Sequence, residues 1–246
     1  MAARSHLNAM PATPQPARRP RWYAGAVLAL LLAPAMAALA AGPVDAPGQR
    51  LQALVDTARD PLLPDTIANF ATSVAASGDA RRKPYAVIDK SAARLWVFAP
   101  DGRLQAESRI IVGQAAGDTA PSDIGTRPLS RVRPHEKITP AGRFETEPGE
   151  NTHGEDIVWL DYDSALSMHR VRNVPGEHRL VRIRSDDVRQ RRISFGCVNV
   201  PAGFYEQYIR PQFSDRAGVV YILPENAAVT SVFPFMRERW NTAQVR

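Results

Sequence analysis

The stretch 191–201 reads RRISFGCVNVP and holds Cys197, the single cysteine among 246 residues. One thiol cannot close an internal disulfide, so Cys197 is a packed small hydrophobe, a link to another chain, or a nucleophile. A nucleophilic cysteine needs a lowered pKa, a base within reach, and backbone N–H groups aimed at the oxyanion of a tetrahedral intermediate. The local sequence offers such parts. Gly196 lets the backbone approach a substrate carbonyl closely and adopt angles that other residues avoid. The N–H groups of Gly196 and Cys197 would then form the oxyanion hole, and the chemistry expected is attack on a carbonyl.

Holding a thiol, a base and an oxyanion hole in register calls for rigid elements, and the sequence from Pro84 onward supplies strand patterns. YAVIDKSAARLWVFAPDGRLQAESRIIVG alternates over Val87 and Asp89 and over Leu95 and Val97, with PDG as a turn, which predicts a β-meander. Further strands are expected at DIVWLDYD, ALSMHRV, RLVRIR and GVVYILP, and a short helix at PAGFYEQYIRPQF. Residues 117–142 are rich in Pro, Gly and Ser and predict a long loop ending in ITPAGRF. Upstream, residues 42–83 predict a helical N-terminal arm. Leu51, Leu54, Val55 and Ala58 share one helical face, as do Ile67, Phe70, Ala71 and Val74, and the second helix is bounded by Asp65 or Thr66 and Gly78. The tail, 225–246, carries Phe233, Phe235 and Trp240 without a clear period.

Residues 1–41 have the layout of a secretory signal: Arg4, Arg18, Arg19 and Arg21 with no acid, then an apolar run from Ala24, with Ala38 and Ala40 suited to cleavage. The alternative is a membrane anchor, but the run is mostly alanine and Pro34 interrupts it. With those four arginines gone from a formal +6, the mature chain carries +2. A pI near 9.9 therefore gives no case for a nucleic-acid partner, and the membrane is met only through the signal if it stays uncleaved. The remaining length fits one domain with a small appendage.

ISFGCVNVP resembles the signature of the L,D-transpeptidase catalytic domain (YkuD-type): an upstream His, then Ser or Thr, a variable residue, Gly, Cys, an aliphatic residue, and Asn or Arg. YAVIDKSAARLWVFAPDG with RIIVG resembles the opening strands of that domain, KITPAGRF its Thr-Pro-x-Gly-x-Phe segment, and SALSMHRV its histidine strand. The resemblance spans about residues 84–224. It implies a mainly β fold, sandwich- or barrel-like, with a few short helices. It also implies an exported, periplasmic or cell-wall enzyme whose partners are peptidoglycan stem peptides and which needs no metal or organic cofactor. Cys197 would be the nucleophile, forming a thioester with the L-centre carbonyl of the third stem residue, and Ser194 and Asn199 would support its loop. Two departures stand out: Phe195 where the family often has histidine, and Arg170 where a glycine is common.

Two histidines compete as base. The family spacing of about 14 to 17 residues between histidine and serine favours His178, with 15 between it and Ser194, whereas His169 has 24. His169, however, closes an apolar strand pattern while His178 lies in the polar turn PGEHRL, so His169 is the expected base, with an inserted hairpin over 170–193. That segment holds eight arginines, at 170, 172, 179, 182, 184, 189, 191 and 192. They are either a solvated face or, for Arg191 and Arg192 beside the motif, a site for stem-peptide carboxylates. The alternatives kept open are a hydrolase using the same cysteine (an L,D-carboxypeptidase or endopeptidase), a cell-wall binding module with an inert thiol, and a zinc hydrolase built from His135, His153, His169 and Asp156.

Overall fold

The computed structural model describes residues 63–237; the signal-like segment, the helix pattern over 51–58 and Trp240 lie outside the described residues. Helix α1, Asp65–Ser77, follows Pro64 and carries Asp65 in its first turn, where a carboxylate meets the positive end of the helix dipole. It stops at Gly78, whose φ of 70° suits a residue without Cβ and whose N–H closes on the Val74 carbonyl. The face expected from spacing, Ile67, Phe70, Ala71 and Val74, is the buried one.

The strands follow in the order β1 Tyr85–Asp89, β2 Arg94–Phe98, β3 Leu104–Arg109, β4 Val112–Gly113, β5 Gly142–Glu145, β6 Glu147–Glu150, β7 Asp156–Asp161, β8 Leu166–Arg170, β9 Arg192–Ser194, β10 Val198–Val200 and β11 Val219–Ile222. The first three form the expected antiparallel meander. They belong to a five-stranded sheet ordered β3-β2-β1-β11-β5, in which β11 runs parallel to β1. A second sheet is ordered β10-β8-β7-β6, and β4 pairs with β9. The protein is thus mainly β, with mixed sheets and a few short helices.

The middle strands of the larger sheet are buried on both faces, which is why they read as nearly continuous apolar runs. One face sets Tyr85, Trp96, Phe98 and Tyr221 against Phe70 of α1 and against Phe233, which follows a short helix α4, Val229–Val232. The other face sets Ile88, Leu95, Val97 and Val220 against Val158, Met168 and Val198 of the second sheet. Tyr205, Ile209 and Phe213 complete that layer from a helix, α3, that begins at Ala202–Phe204 and widens into π-helical turns over Tyr205–Ser214 around Pro211. Phe70 meets Tyr221, Phe233 and Phe235 edge-on, at centroid distances of 5.5, 4.9 and 5.6 Å. Phe70→Ala is therefore expected to cost about 3–5 kcal/mol, read from the denaturant midpoint; a loss below about 1 kcal/mol would mean that α1 is dispensable to the sheet it covers.

The segment between β8 and β9 departs from the expected hairpin. RLVRIR was expected as a strand, but Arg179–Arg182 is a single helical turn, α2, with Arg179 and Ile183 inside and Leu180 and Val181 exposed by 44% and 71%. The reason is topological. β10 runs parallel to β8, and parallel neighbours need a crossover rather than a tight turn. The chain leaves β8, passes through α2 and a 3₁₀ turn at Val188–Arg191, pairs briefly as β9 with β4, and only then returns beside β8. Among the described residues no helix is long and apolar enough to cross a membrane.

Candidate active site

In the parallel pair β8–β10, Asn199 lies opposite His169 and Val198 opposite Met168. Side chains alternate along a strand, so Ser167 and His169 share one face of β8, and Cys197, one residue before β10, falls on that face opposite Ser167. The contacts agree. Cys197 Sγ lies 3.5 Å from Ser167 Oγ and 3.4 Å from the Ala165 carbonyl, and the thiol is half-buried. Burial alone would push this thiol up. The hydrogen bond and charge of His169, followed by the Ser167 hydroxyl and N–H, outweigh it and bring the thiol from an ordinary 9.0 down to about 7.

His169 is oriented by the backbone. Its Nδ1 stands 2.8 Å from the carbonyl of Arg170. A carbonyl only accepts, so Nδ1 carries the hydrogen and Nε2 is left as the basic nitrogen. A thiol near 7 beside an imidazole with one fixed tautomer can lose its proton at neutral pH and attack an electrophilic carbon.

The loop around the thiol is tied down at each step. Ser194 Oγ donates to the Cys197 carbonyl at 2.7 Å, and Asn199 Nδ2 donates to the same oxygen at 3.2 Å. Asn199 Oδ1 accepts in turn from Arg179 at 3.0 Å. Thr139 Oγ1 donates to the Gly196 carbonyl at 2.6 Å and accepts from the Gly113 N–H at 2.8 Å, which anchors the TPAGRF segment to the nucleophile turn. Of the two expected oxyanion donors, the Gly196 N–H is already engaged by Ser194 Oγ at 3.1 Å, while the Cys197 N–H has no acceptor among the described residues. Only the second is open to a substrate oxygen.

Gly196 has a φ of 138°, and a Cβ there would sit 2.8 Å from the carbonyl oxygen of Ile138. Gly196→Ala is expected to displace the turn from His169. If the thiol rises by one pKa unit, its alkylation at pH 6 slows about tenfold; an unchanged rate at that pH would show that the turn tolerates a side chain.

Cys197 stands between two cavities. The first, about 80 Å³, is apolar and lies between Phe195 and the loop residues Ile124, Leu129, Val132 and Ile138. Lys137 places its ammonium 3.8 Å above the Phe195 ring, so the residue that departs from the resembled signature forms a wall of this cavity with a cation on it. The loop is anchored at its start by buried Lys90, which donates to the Gly117 carbonyl and to Asp118 at 2.9 Å. Asp118 also accepts the N–H groups of Glu225, Asn226 and Ala227. Burial opposes the charge on Asp118, yet these donors hold it well below the usual carboxylate range. The second cavity, about 270 Å³, is lined by Ser167, His169, Cys197, Trp159, Glu150 and Arg172 among others.

Other sequence candidates lie elsewhere. His178 is exposed, with a left-handed φ of 51°, at the start of α2, and lines neither cavity beside Cys197. Arg191 and Arg192, expected to receive substrate carboxylates, turn inward instead. Arg191 is 2% exposed and donates to the carbonyls of Ala92 and Ser185. Arg192 donates to the carbonyls of Lys90 and Ala115 and pairs with Glu225. Their place next to the motif in sequence puts them where β9 passes the larger sheet, and their N–H groups go to backbone carbonyls there. Ser167 was missed by sequence reasoning, although the pattern Ser-x-His within one strand is the signal that would have found it. Among the described residues, no group of three or more His, Cys, Asp or Glu side chains is placed to hold a metal ion.

No family model matches the chain, and no curated protein matches it. Among solved structures it is similar to an L,D-transpeptidase from Xylanimonas cellulosilytica, with a TM-score of 0.37 and 16% identity over 57% of this chain and 60% of that one. It is similar to the helical cell shape determining protein Pgp2 from Campylobacter jejuni, with a TM-score of 0.37 and 16% identity over 66% of this chain and 56% of that one. It is also similar to the catalytic domain of the E. faecium L,D-transpeptidase, with a TM-score of 0.31 and 17% identity over 58% of this chain and 98% of that one. The chain therefore spans less than two thirds of the first two proteins.

Proposed function

We propose that this chain is an exported cysteine acyltransferase of the L,D-transpeptidase kind, acting on peptidoglycan stem peptides. The observation that supports it most is the line from the Arg170 carbonyl through His169 to Cys197, with the thiol lowered to about 7. The order of motifs around Ser194, Gly196 and Cys197 supports the choice of substrate. In the first half-reaction the Cys197 thiolate attacks the L-centre carbonyl of the third stem residue, and the Cys197 N–H donates to the oxyanion. The C–N bond to the terminal D-alanine breaks, the leaving amine takes the proton that His169 removed from the thiol, and a thioester remains. In the second, an acceptor amine gives a proton to His169, attacks the thioester carbonyl, and expels the thiolate. Ser194 and Asn199 keep the Cys197 carbonyl turned away from the reacting centre. Residues 1–41 act as the export signal in this reading.

Intact-mass analysis tests it. Incubation with a tetrapeptide-bearing muropeptide should add to the protein the mass of the substrate less D-alanine, located on Cys197, and should yield amide products when an amine is supplied. Loss of D-alanine without transfer would make the enzyme a hydrolase with the same nucleophile. Absence of any adduct, together with retained sacculus binding, would make the thiol inert and the protein a binding module.

A further inference from the structure

Every backbone polar group of Gly196 and Cys197 except one has a partner among the described residues. The Gly196 N–H goes to Ser194 Oγ at 3.1 Å, and the Cys197 carbonyl accepts from Ser194 Oγ and Asn199 Nδ2 at 2.7 and 3.2 Å. The Gly196 carbonyl accepts from Thr139 Oγ1 at 2.6 Å. The Cys197 N–H is the group left over. That N–H and the Gly196 carbonyl belong to one peptide unit. In a planar trans peptide the two point in opposite directions, so whatever holds the carbonyl also aims the N–H. Gly196, at a φ of 138° and without a Cβ, restrains the rotation of that unit least, and the hold has to come from outside the turn.

Thr139 has the means to supply it. An N–H only donates, so the bond from the Gly113 N–H at 2.8 Å makes Thr139 Oγ1 the acceptor there and leaves its single hydrogen for the Gly196 carbonyl. The direction of both bonds is thereby forced. The side chain has little freedom of its own: it is 1% exposed, its β-branch limits χ1, and Pro140 after it disfavours helical angles at its backbone. Gly113 packs so closely on the same segment that a Cβ there would run into the Lys137 carbonyl oxygen and lie 2.7 Å from the Thr139 nitrogen. The Ala115 N–H donates to that Lys137 carbonyl at 3.0 Å. Thr139 is thus fixed to β4 on one side and holds the nucleophile turn on the other.

We infer that Thr139 is the positioning residue of the oxyanion hole, turning the Gly196–Cys197 peptide so that the Cys197 N–H faces the carbonyl under attack. The inference rests on the acyl-transfer reading of Cys197 and adds the residue that aims its one open donor. The bonds of the thiol run to Ser167 and to the Ala165 carbonyl, and that of His169 to the Arg170 carbonyl, none of them through Thr139. Loss of the Thr139 hydroxyl therefore spares the thiolate and releases the N–H. The effect is confined to reactions that build negative charge on a carbonyl oxygen.

The test sets two reagents against each other at Cys197, in the wild-type protein, Thr139→Val and Thr139→Ser. With p-nitrophenyl acetate the thiolate attacks the ester carbonyl, the C–O bond to p-nitrophenolate breaks, and an acetyl thioester remains. With iodoacetamide the thiolate displaces iodide from a methylene carbon, and no oxyanion forms. The readout is the ratio of acylation to alkylation within each protein, which cancels any change in thiolate fraction. Thr139→Val should lower the ratio by about tenfold or more, toward the roughly 10²-fold that loss of an oxyanion donor costs. Thr139→Ser, which keeps the hydroxyl without the β-branch, should fall between, and the pH profile of alkylation should stay in place in both. An unchanged ratio in Thr139→Val would overturn the inference. So would two rates that fall together with the alkylation profile moved upward, which would make Thr139 a support of the thiol. Neither reagent contains a stem peptide, so a ratio that depends on Thr139 in a protein that forms no adduct with the muropeptide would end the proposed substrate and leave the inference standing. Muropeptide acylation at equal rates in the wild type and Thr139→Val would do the reverse.

Discussion

Cys197→Ala is expected to abolish thioester formation and thiol-directed adducts, lowering turnover by about 10⁴-fold or more, because removal of a covalent nucleophile leaves only binding and oxyanion stabilisation. The chain has no second thiol to compensate. Folding should survive: the side chain is half-buried between two cavities, and the turn is held by Ser194, Asn199 and Thr139 through backbone atoms that the substitution keeps. Turnover on muropeptides and intact-mass analysis with a carbapenem measure the two losses, and a denaturation midpoint measures the third. Unchanged turnover in a folded variant would end the assignment of Cys197 and with it the proposed reaction.

His169→Ala should be nearly as damaging, and for a reason visible in the pH profile. Without His169 only the Ser167 hydrogen bonds oppose the burial of Cys197, so the thiol rises from about 7 toward its ordinary 9.0. Because the thiolate is the reactive form, the midpoint of Cys197 alkylation moves up by the same interval. At pH 7 the thiolate fraction then falls by as much as about fiftyfold. His178→Ala should leave the profile in place, since that residue is exposed at the start of α2 and lines neither cavity beside the thiol. The reverse pattern, with the low-pH thiolate lost in His178→Ala alone, would hand the role to the histidine favoured by spacing.

The disagreement between spacing and strand pattern shows what can be read from this sequence. SALSMHRV alternates because β8 has one face on the core through Leu166 and Met168 and the other on the site through Ser167 and His169. That alternation is a local property, and it pointed to His169. The meander and the bounds of α1 were legible for the same reason: period, a turn at PDG and a glycine stop are all local. RLVRIR was not, since Leu180 and Val181 face solvent while Arg179 is buried against Asn199. Its apolar residues carry no record of which side packs. Nor does sequence record where a guanidinium points. Arg191 and Arg192 adjoin the motif yet are committed inward, whereas Arg172, farther away in the chain, reaches the cavity. The engaged Gly196 N–H was hidden likewise, because it depends on the rotamer of Ser194.

The order of the larger sheet has a bearing on how the chain acquires its structure in time. Its fourth strand, β11, is Val219–Ile222, and it separates β1 from β5, both made long before it. Until residues 219–222 emerge during synthesis, β1 and β5 each present an edge with no neighbour, and both core layers lack the row Val219, Val220, Tyr221 and Ile222. Pairing of such sequence separation places the domain among slow folders, with an interval in which exposed edges favour association with other chains. A nascent chain stalled before residue 219 can hold the β1–β2–β3 meander but cannot close the sheet. The larger sheet therefore closes only after residue 222 has been made, and a chaperone that shields strand edges would act chiefly before that point.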